Sequence, residues 1–74
     1  MKTKKELFIS FAISYLRAYR RARAREIVRE YNRCCPCSMQ VTVQEGANYL
    51  REIDIIKRHR RNHYEMTIYE LATN

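Results

Sequence analysis

One glycine and one proline in 74 residues leave this chain little material for sharp turns and none for a flexible linker. That scarcity speaks against a second domain. Acidic side chains are also few: eight Asp and Glu stand against fifteen Lys and Arg, a formal charge of +7. No stretch reaches the roughly 18 apolar residues that a bilayer span requires. The apolar-rich segment from Leu7 to Leu16 follows a Lys-rich start, but Glu6, Ser10 and Ser14 break it and no small-residue cleavage site follows. The chain is therefore expected to be soluble and cytoplasmic. There are three cysteines, Cys34, Cys35 and Cys37, in one cluster. An odd, clustered set does not make a disulfide framework, and a structural zinc site usually takes four ligands. His59 and His63 have zinc-like spacing but lie in a different segment. The thiols read as reduced side chains in a loop, with no metal and no cofactor expected. Catalytic constellations are missing too. There is no Ser/His/Asp set, no phosphate-cradling glycine loop and no cluster of carboxylates, so an enzyme is not expected.

What is present begins with a hydrophobic content of 46%, enough for one small core. A chain this short buries only about 60–65% of its unfolded surface, so its stability margin is thin. Eleven of the fifteen bases are Arg. The planar guanidinium suits phosphates and guanine edges better than the point charge of Lys. A basic excess of this kind favours a polyanionic partner.

Apolar periodicity predicts a first helix from Lys4 to Tyr19, with Leu7, Phe8, Phe11, Ala12, Tyr15, Leu16 and Tyr19 on one face. Ile9 and Ile13 fall outside that arc, one turn apart. They offer either a wider core contact or a surface for a homodimer or a protein partner. A second helix is expected from about Arg23 to Tyr31, with Ala24, Ile27, Val28 and Tyr31 inward. Arg20, Arg21 and Arg23 then fall in the connection between helices, where loop arginines are free to meet phosphates. Pro36 prevents helix through the cysteines, so Asn32 to Gln40 reads as a loop. Thr42 and Glu45 have the spacing of a capping box. They open a third helix that runs to Ile53, with Val43, Gly46, Ala47, Leu50 and Ile53 inward. Gly46 lowers helix propensity by about 1 kcal/mol relative to Ala, a cost that points to close packing against the second helix. Gln44, Asn48, Arg51 and Glu52 point outward.

After Asp54 the period changes to two. Ile55-Ile56-Lys57-Arg58-His59-Arg60-Arg61-Asn62-His63-Tyr64 reads as the rising strand and basic tip of a β-ribbon. The chain returns through Met66, Thr67, Ile68 and Tyr69, with Tyr64, Met66 and Ile68 as the expected buried face.

In this order of helix, helix, loop, helix, strand, strand, the chain resembles the winged helix-turn-helix family. The residues that carry the likeness are Ala24-Arg25-Glu26-Ile27-Val28, then Val43, Ala47, Leu50, Arg51 and Ile53, then Ile55 through Tyr64. The likeness spans roughly residues 5 to 71 of one domain and is similar in size to small regulators of bacteria and phages. It implies an α+β fold of three helices followed by a two-stranded ribbon, or wing. It implies a double-stranded DNA partner, with Gln44, Asn48 and Arg51 of the third helix facing base edges. Arg58, Arg60, Arg61 and His63 would then lie over the backbone, joined by Arg20, Arg21 and Arg23. Glu45 and Glu52 are the adverse residues, since carboxylates repel phosphates. The alternative expectation is an interaction module of the same shape, such as a phage or plasmid modulator of a host protein.

Overall fold

The computed structural model describes residues 3–59, 63 and 66–72. It is α+β: three helices and a small three-stranded antiparallel sheet. Helix α1 covers Lys4–Tyr19, strand β1 Arg21–Arg23, helix α2 Ala24–Cys34, helix α3 Val43–Arg51, strand β2 Ile56–His59 and strand β3 Ile68–Leu71, with one 3-10 turn at Cys37–Met39.

Each helix starts where side chains satisfy its first free N–H groups. Thr3 opens α1 with a capping box: its Oγ1 accepts from the Glu6 N–H at 3.1 Å, and Glu6 Oε1 accepts from the Thr3 N–H at 2.9 Å. Thr42 and Glu45 repeat the pattern at α3, at 3.0 and 2.9 Å, as their spacing predicted. At α2 only the returning half exists, with Glu26 Oε1 accepting from the Arg23 N–H at 2.9 Å. The ends are equally specific. Arg20 closes α1 at φ 67°, a left-handed conformation that costs an L-residue about 1–3 kcal/mol. Its N–H donates to Leu16 O at 2.9 Å. Cys35 is extended because the following Pro36 excludes helical backbone there, so α2 ends at Cys34, three residues beyond the expected end at Tyr31.

The core is built from one stripe of each helix and the inner face of the sheet. Phe8, Ala12 and Leu16 come from α1, Ile27, Val28 and Tyr31 from α2, Ala47 and Leu50 from α3, and Ala22, Ile56 and Tyr69 from the strands. The Phe8 ring meets Tyr31 edge-on, with centroids 5.2 Å apart. Gly46 lies where α3 crosses α2 and α1. A Cβ there would stand 2.5 Å from Val28 Cγ2 and 3.0 Å from Phe8 Cζ, so the glycine is the close-packing device its position suggested.

The loop between α2 and α3 is held by two side chains of α2, Asn32 and Tyr31. Asn32 Nδ2 donates to Val41 O at 2.9 Å, and its Oδ1 accepts from the Val41 N–H at 3.0 Å. Tyr31 Oη donates to Met39 O at 2.9 Å. Burial, followed by a hydrogen bond with Cys35, pushes this phenol up to about 12.

Two expectations need correction. Arg21–Arg23 is not a free connection but the strand β1, paired antiparallel to β3 as Arg21↔Glu70, Ala22↔Tyr69 and Arg23↔Ile68. No local period announces it, because its partner lies some fifty residues later (Glu70 minus Arg21 is 49). The buried face of β3 and its approach is also the opposite one. Thr67 and Tyr69 are buried, whereas Met66 is 49% exposed and Ile68 is half-buried. A one-residue change in parity exchanges every side chain between faces. Tyr64 of the expected set lies outside the described residues.

Candidate nucleic-acid interface

The outward side of α3 carries Gln44, Asn48 and Arg51, all exposed. Their spacing of four and three residues places them on one stripe opposite Gly46, Ala47 and Leu50. The two carboxylates on this helix lie to one side of that stripe and are neutralised by α1. Lys4 Nζ donates to Glu45 Oε2 at 3.1 Å, and Lys5 Nζ donates to Glu52 Oε1 at 2.6 Å. The Glu45 carboxyl is held below its ordinary range, first by the hydrogen bond from the Thr42 N–H and then by Lys4. The N-terminal lysines therefore cancel much of the repulsion that Glu45 and Glu52 would present to a phosphate.

The sheet continues this surface. Strand order is β1-β3-β2, with β2 against β3 in the register Ile56↔Leu71, Lys57↔Glu70, Arg58↔Tyr69 and His59↔Ile68. Arg58 is half-buried and shares the Tyr69 face. Burial raises the Tyr69 phenol, and the charges of Arg58 and Arg51 partly offset that rise. Helix α3 packs against β2, so the α3 stripe and Arg58 belong to neighbouring elements. On the outer face, Glu70 bridges the sheet, with Oε1 3.1 Å from His59 Nε2 and Oε2 3.4 Å from Arg21 Nε. The His59 hydrogen bond, and after it Arg21, holds the Glu70 carboxyl below its usual range.

The structure divides the expected site. Gln44, Asn48 and Arg51 share the outward stripe of α3, and Arg58 lies on β2, the strand that packs against that helix. His63 is exposed at the turn before β3, where its carbonyl accepts from the Met66 and Thr67 N–H groups at 2.9 and 3.1 Å. Arg60 and Arg61 lie outside the described residues. Arg20, Arg21 and Arg23 are exposed, but β1 is at the sheet edge opposite β2. There, Arg21, Arg23, Arg25, Glu26, Met66 and Ile68 line an open groove of about 710 Å³. Sequence reasoning missed this groove. Arg25 falls outside the inward set Ala24, Ile27, Val28 and Tyr31 of the second helix, and Met66 was placed on the wrong face.

Ile9 and Ile13 are half-buried and pack against the core cluster. Both therefore have apolar neighbours within the chain. Tyr19, expected on the buried face, is 65% exposed and stacks on Tyr15 with centroids 4.6 Å apart. The three thiols are free, with Cys34 and Cys37 exposed and Cys35 half-buried. Among the described residues, no three His, Cys, Asp or Glu side chains are grouped to hold a metal ion, and no helix is long and apolar enough to cross a membrane.

Comparison with known protein families, with curated proteins and with solved structures finds no match.

Proposed function

We propose that this protein is a small DNA-binding regulator of the winged helix-turn-helix type. In this reading α3 enters the major groove and the β2–β3 ribbon, the wing, rests on the backbone. The observation that carries it is the exposed stripe Gln44, Asn48 and Arg51, with Arg58 on the adjoining strand, while Lys4 and Lys5 neutralise the flanking carboxylates. A helix fits the B-DNA major groove, about 12 Å wide, and amide and guanidinium side chains are the usual readers of adenine and guanine edges there. The net charge of +7 supplies the long-range attraction. A third strand between the first two helices is compatible with the same architecture.

The test is fluorescence anisotropy on a site selected from random duplex, at two salt concentrations. Asn48→Ala or Arg51→Ala is expected to cost about 1–3 kcal/mol on the selected site and little on random duplex. Arg58→Ala is expected to weaken both DNAs alike and to lower the salt slope by about one unit. Lys5→Ala, which bares Glu52 beside the stripe, is expected to weaken both. Absence of salt-dependent duplex binding at low ionic strength would sink the reading.

A further inference from the structure

The groove at the β1 edge lies apart from the α3–β2 surface and has a chemistry of its own. Its walls carry Arg21, Arg23 and Arg25 beside Glu26, and Arg21 also pairs with Glu70 Oε2 at 3.4 Å, so the arginines outnumber the carboxylates around them by one. Glu26 already accepts from the Arg23 N–H, so part of its acceptor capacity is committed within the chain. The groove also has an apolar side, formed by Met66 and Ile68. Met66 is one of the few large apolar side chains left strongly exposed, at 49%. Ile68 lies directly across from Arg23 in the β1–β3 register, so cation and apolar surface are neighbours.

From this juxtaposition we propose that the groove is a docking site for an acidic peptide segment of a partner protein, anchored by one large apolar side chain. The apolar residue would cover Met66 and Ile68, and flanking Asp or Glu would meet Arg21, Arg23 and Arg25. Charge complementarity selects an anionic occupant. The apolar side selects a peptide over a nucleic-acid backbone, whose phosphates and sugars give Met66 nothing to bury against. The open shape selects a chain that passes through the groove over a small molecule, which needs most of its surface enclosed. Edge-strand pairing contributes little, because the Arg23 N–H is taken by Glu26. Affinity therefore comes from side chains. The site is separate from the duplex surface: β1 and β2 are opposite edges of the sheet, about 10 Å apart at two strand spacings, so a Debye length of about 8 Å at physiological salt reduces electrostatic crosstalk without removing it.

The experiment uses the full chain and three short fluorescein-labelled peptides. One has a central Phe flanked by Asp and Glu, one has the same acids with Ser in place of Phe, and one has Phe flanked by Lys. The first is expected to bind about tenfold or more tightly than either control, as an apolar anchor within a charged rim requires. Arg23→Gln/Arg25→Gln is expected to weaken it by about tenfold, and Met66→Ser by about three- to fivefold, with circular dichroism unchanged. Duplex affinity of these variants at physiological salt is expected to stay within about threefold of wild type, whereas Asn48→Ala leaves peptide binding intact. Equal binding of the Phe and Ser peptides would reduce the groove to a generic anion surface and overturn the proposal. So would a peptide affinity that Arg23→Gln/Arg25→Gln and Met66→Ser leave unchanged. Stoichiometric displacement of the peptide by duplex, with matching loss of duplex binding in Arg23→Gln/Arg25→Gln, would make these arginines phosphate contacts and also overturn it. A chain that binds peptide but no duplex would uphold this site while removing the regulator reading.

Discussion

Gly46 shows how much one residue can decide in a core this small. An added methyl would fall inside van der Waals contact with Val28 Cγ2, at 2.5 Å, and press on Phe8 Cζ at 3.0 Å. Alanine gains about 1 kcal/mol of helix propensity, but overpacking a filled core costs about 1–3 kcal/mol, and a β-branched valine is stiff at χ1. Gly46→Ala is expected to lose up to about 2 kcal/mol net, a fall in Tm of as much as several degrees for a domain of this size. Val28→Ala in the same chain should restore part of that loss. Equal melting of wild type and Gly46→Ala would show that the contact relaxes freely.

Tyr31 carries a pH prediction at the same scale. Its phenol is neutral in the fold and is pushed from 10.0 to about 12, by burial first and by the hydrogen bond with Cys35 second. A raised folded value stabilises the neutral form. That contribution is complete below pH 10 and disappears as pH rises through about 12. Tyr31→Phe cannot ionise, so its alkaline loss of stability should be shallower than that of wild type. At neutral pH it should be less stable by about 1 kcal/mol, having lost the bond to Met39 O. Melting temperature followed from pH 7 to 12 tests both, and parallel curves for the two proteins would refute the assignment.

At the scale of elements, α3 is short, nine residues, and its start matters more than its propensity. Thr42 and Glu45 exchange two hydrogen bonds, and Glu45 then reaches Lys4 on α1. Thr42→Ala should cost about 1 kcal/mol in urea unfolding, near the centre of measured caps. It should also weaken duplex binding, because Gln44 lies in the turn that frays. Thr3→Ala removes the equivalent cap on α1 and should cost a similar amount while leaving Gln44 ordered. It frays the turn that holds Lys4 and Lys5, so its loss of duplex affinity should resemble that of Lys5→Ala, whereas unchanged affinity in Thr42→Ala would show that the α3 cap does not order the contact stripe. Sequence made both Thr42 and Glu45 legible, since a capping box is written within four residues. It could not reveal that Lys4 and Lys5 would meet Glu45 and Glu52, which are separated from them by 41 and 47 positions.

For the whole molecule, α1 is the element on which the others assemble. It touches α2, α3 and the sheet. Ile9 and Ile13 complete its contact with the core cluster. Half-burial already recovers part of the roughly 1.5–3 kcal/mol that a fully buried isoleucine contributes, so neither residue requires a second copy of the chain. Ile9→Glu/Ile13→Glu is therefore expected to lower thermal stability, whether or not the chain self-associates. Sedimentation of both proteins separates the effects. A folded double variant of unchanged Tm, with wild type sedimenting as a dimer, would make this face an assembly surface.

The sequence by itself determined the elements whose signals are local. The 3.6-residue apolar period gave α1 from Lys4 to Tyr19, Thr42 and Glu45 gave the start of α3, Pro36 gave the break, and Gly46 gave the close crossing. Only the tertiary structure decided what depends on partners far along the chain. Strand β1 exists because β3 offers it hydrogen bonds, and three residues are too few to show a period. The inward face of β3 was fixed by the packing of Tyr69 in the core, which overrode the alternation expected for Met66 and Ile68. The same packing sorted the arginines. Arg51 and Arg58 stand on α3 and β2, which pack together, while Arg21 and Arg23 were carried to the far edge of the sheet. Charge has no period of its own, so where it gathers is set by the fold of the apolar residues beneath it.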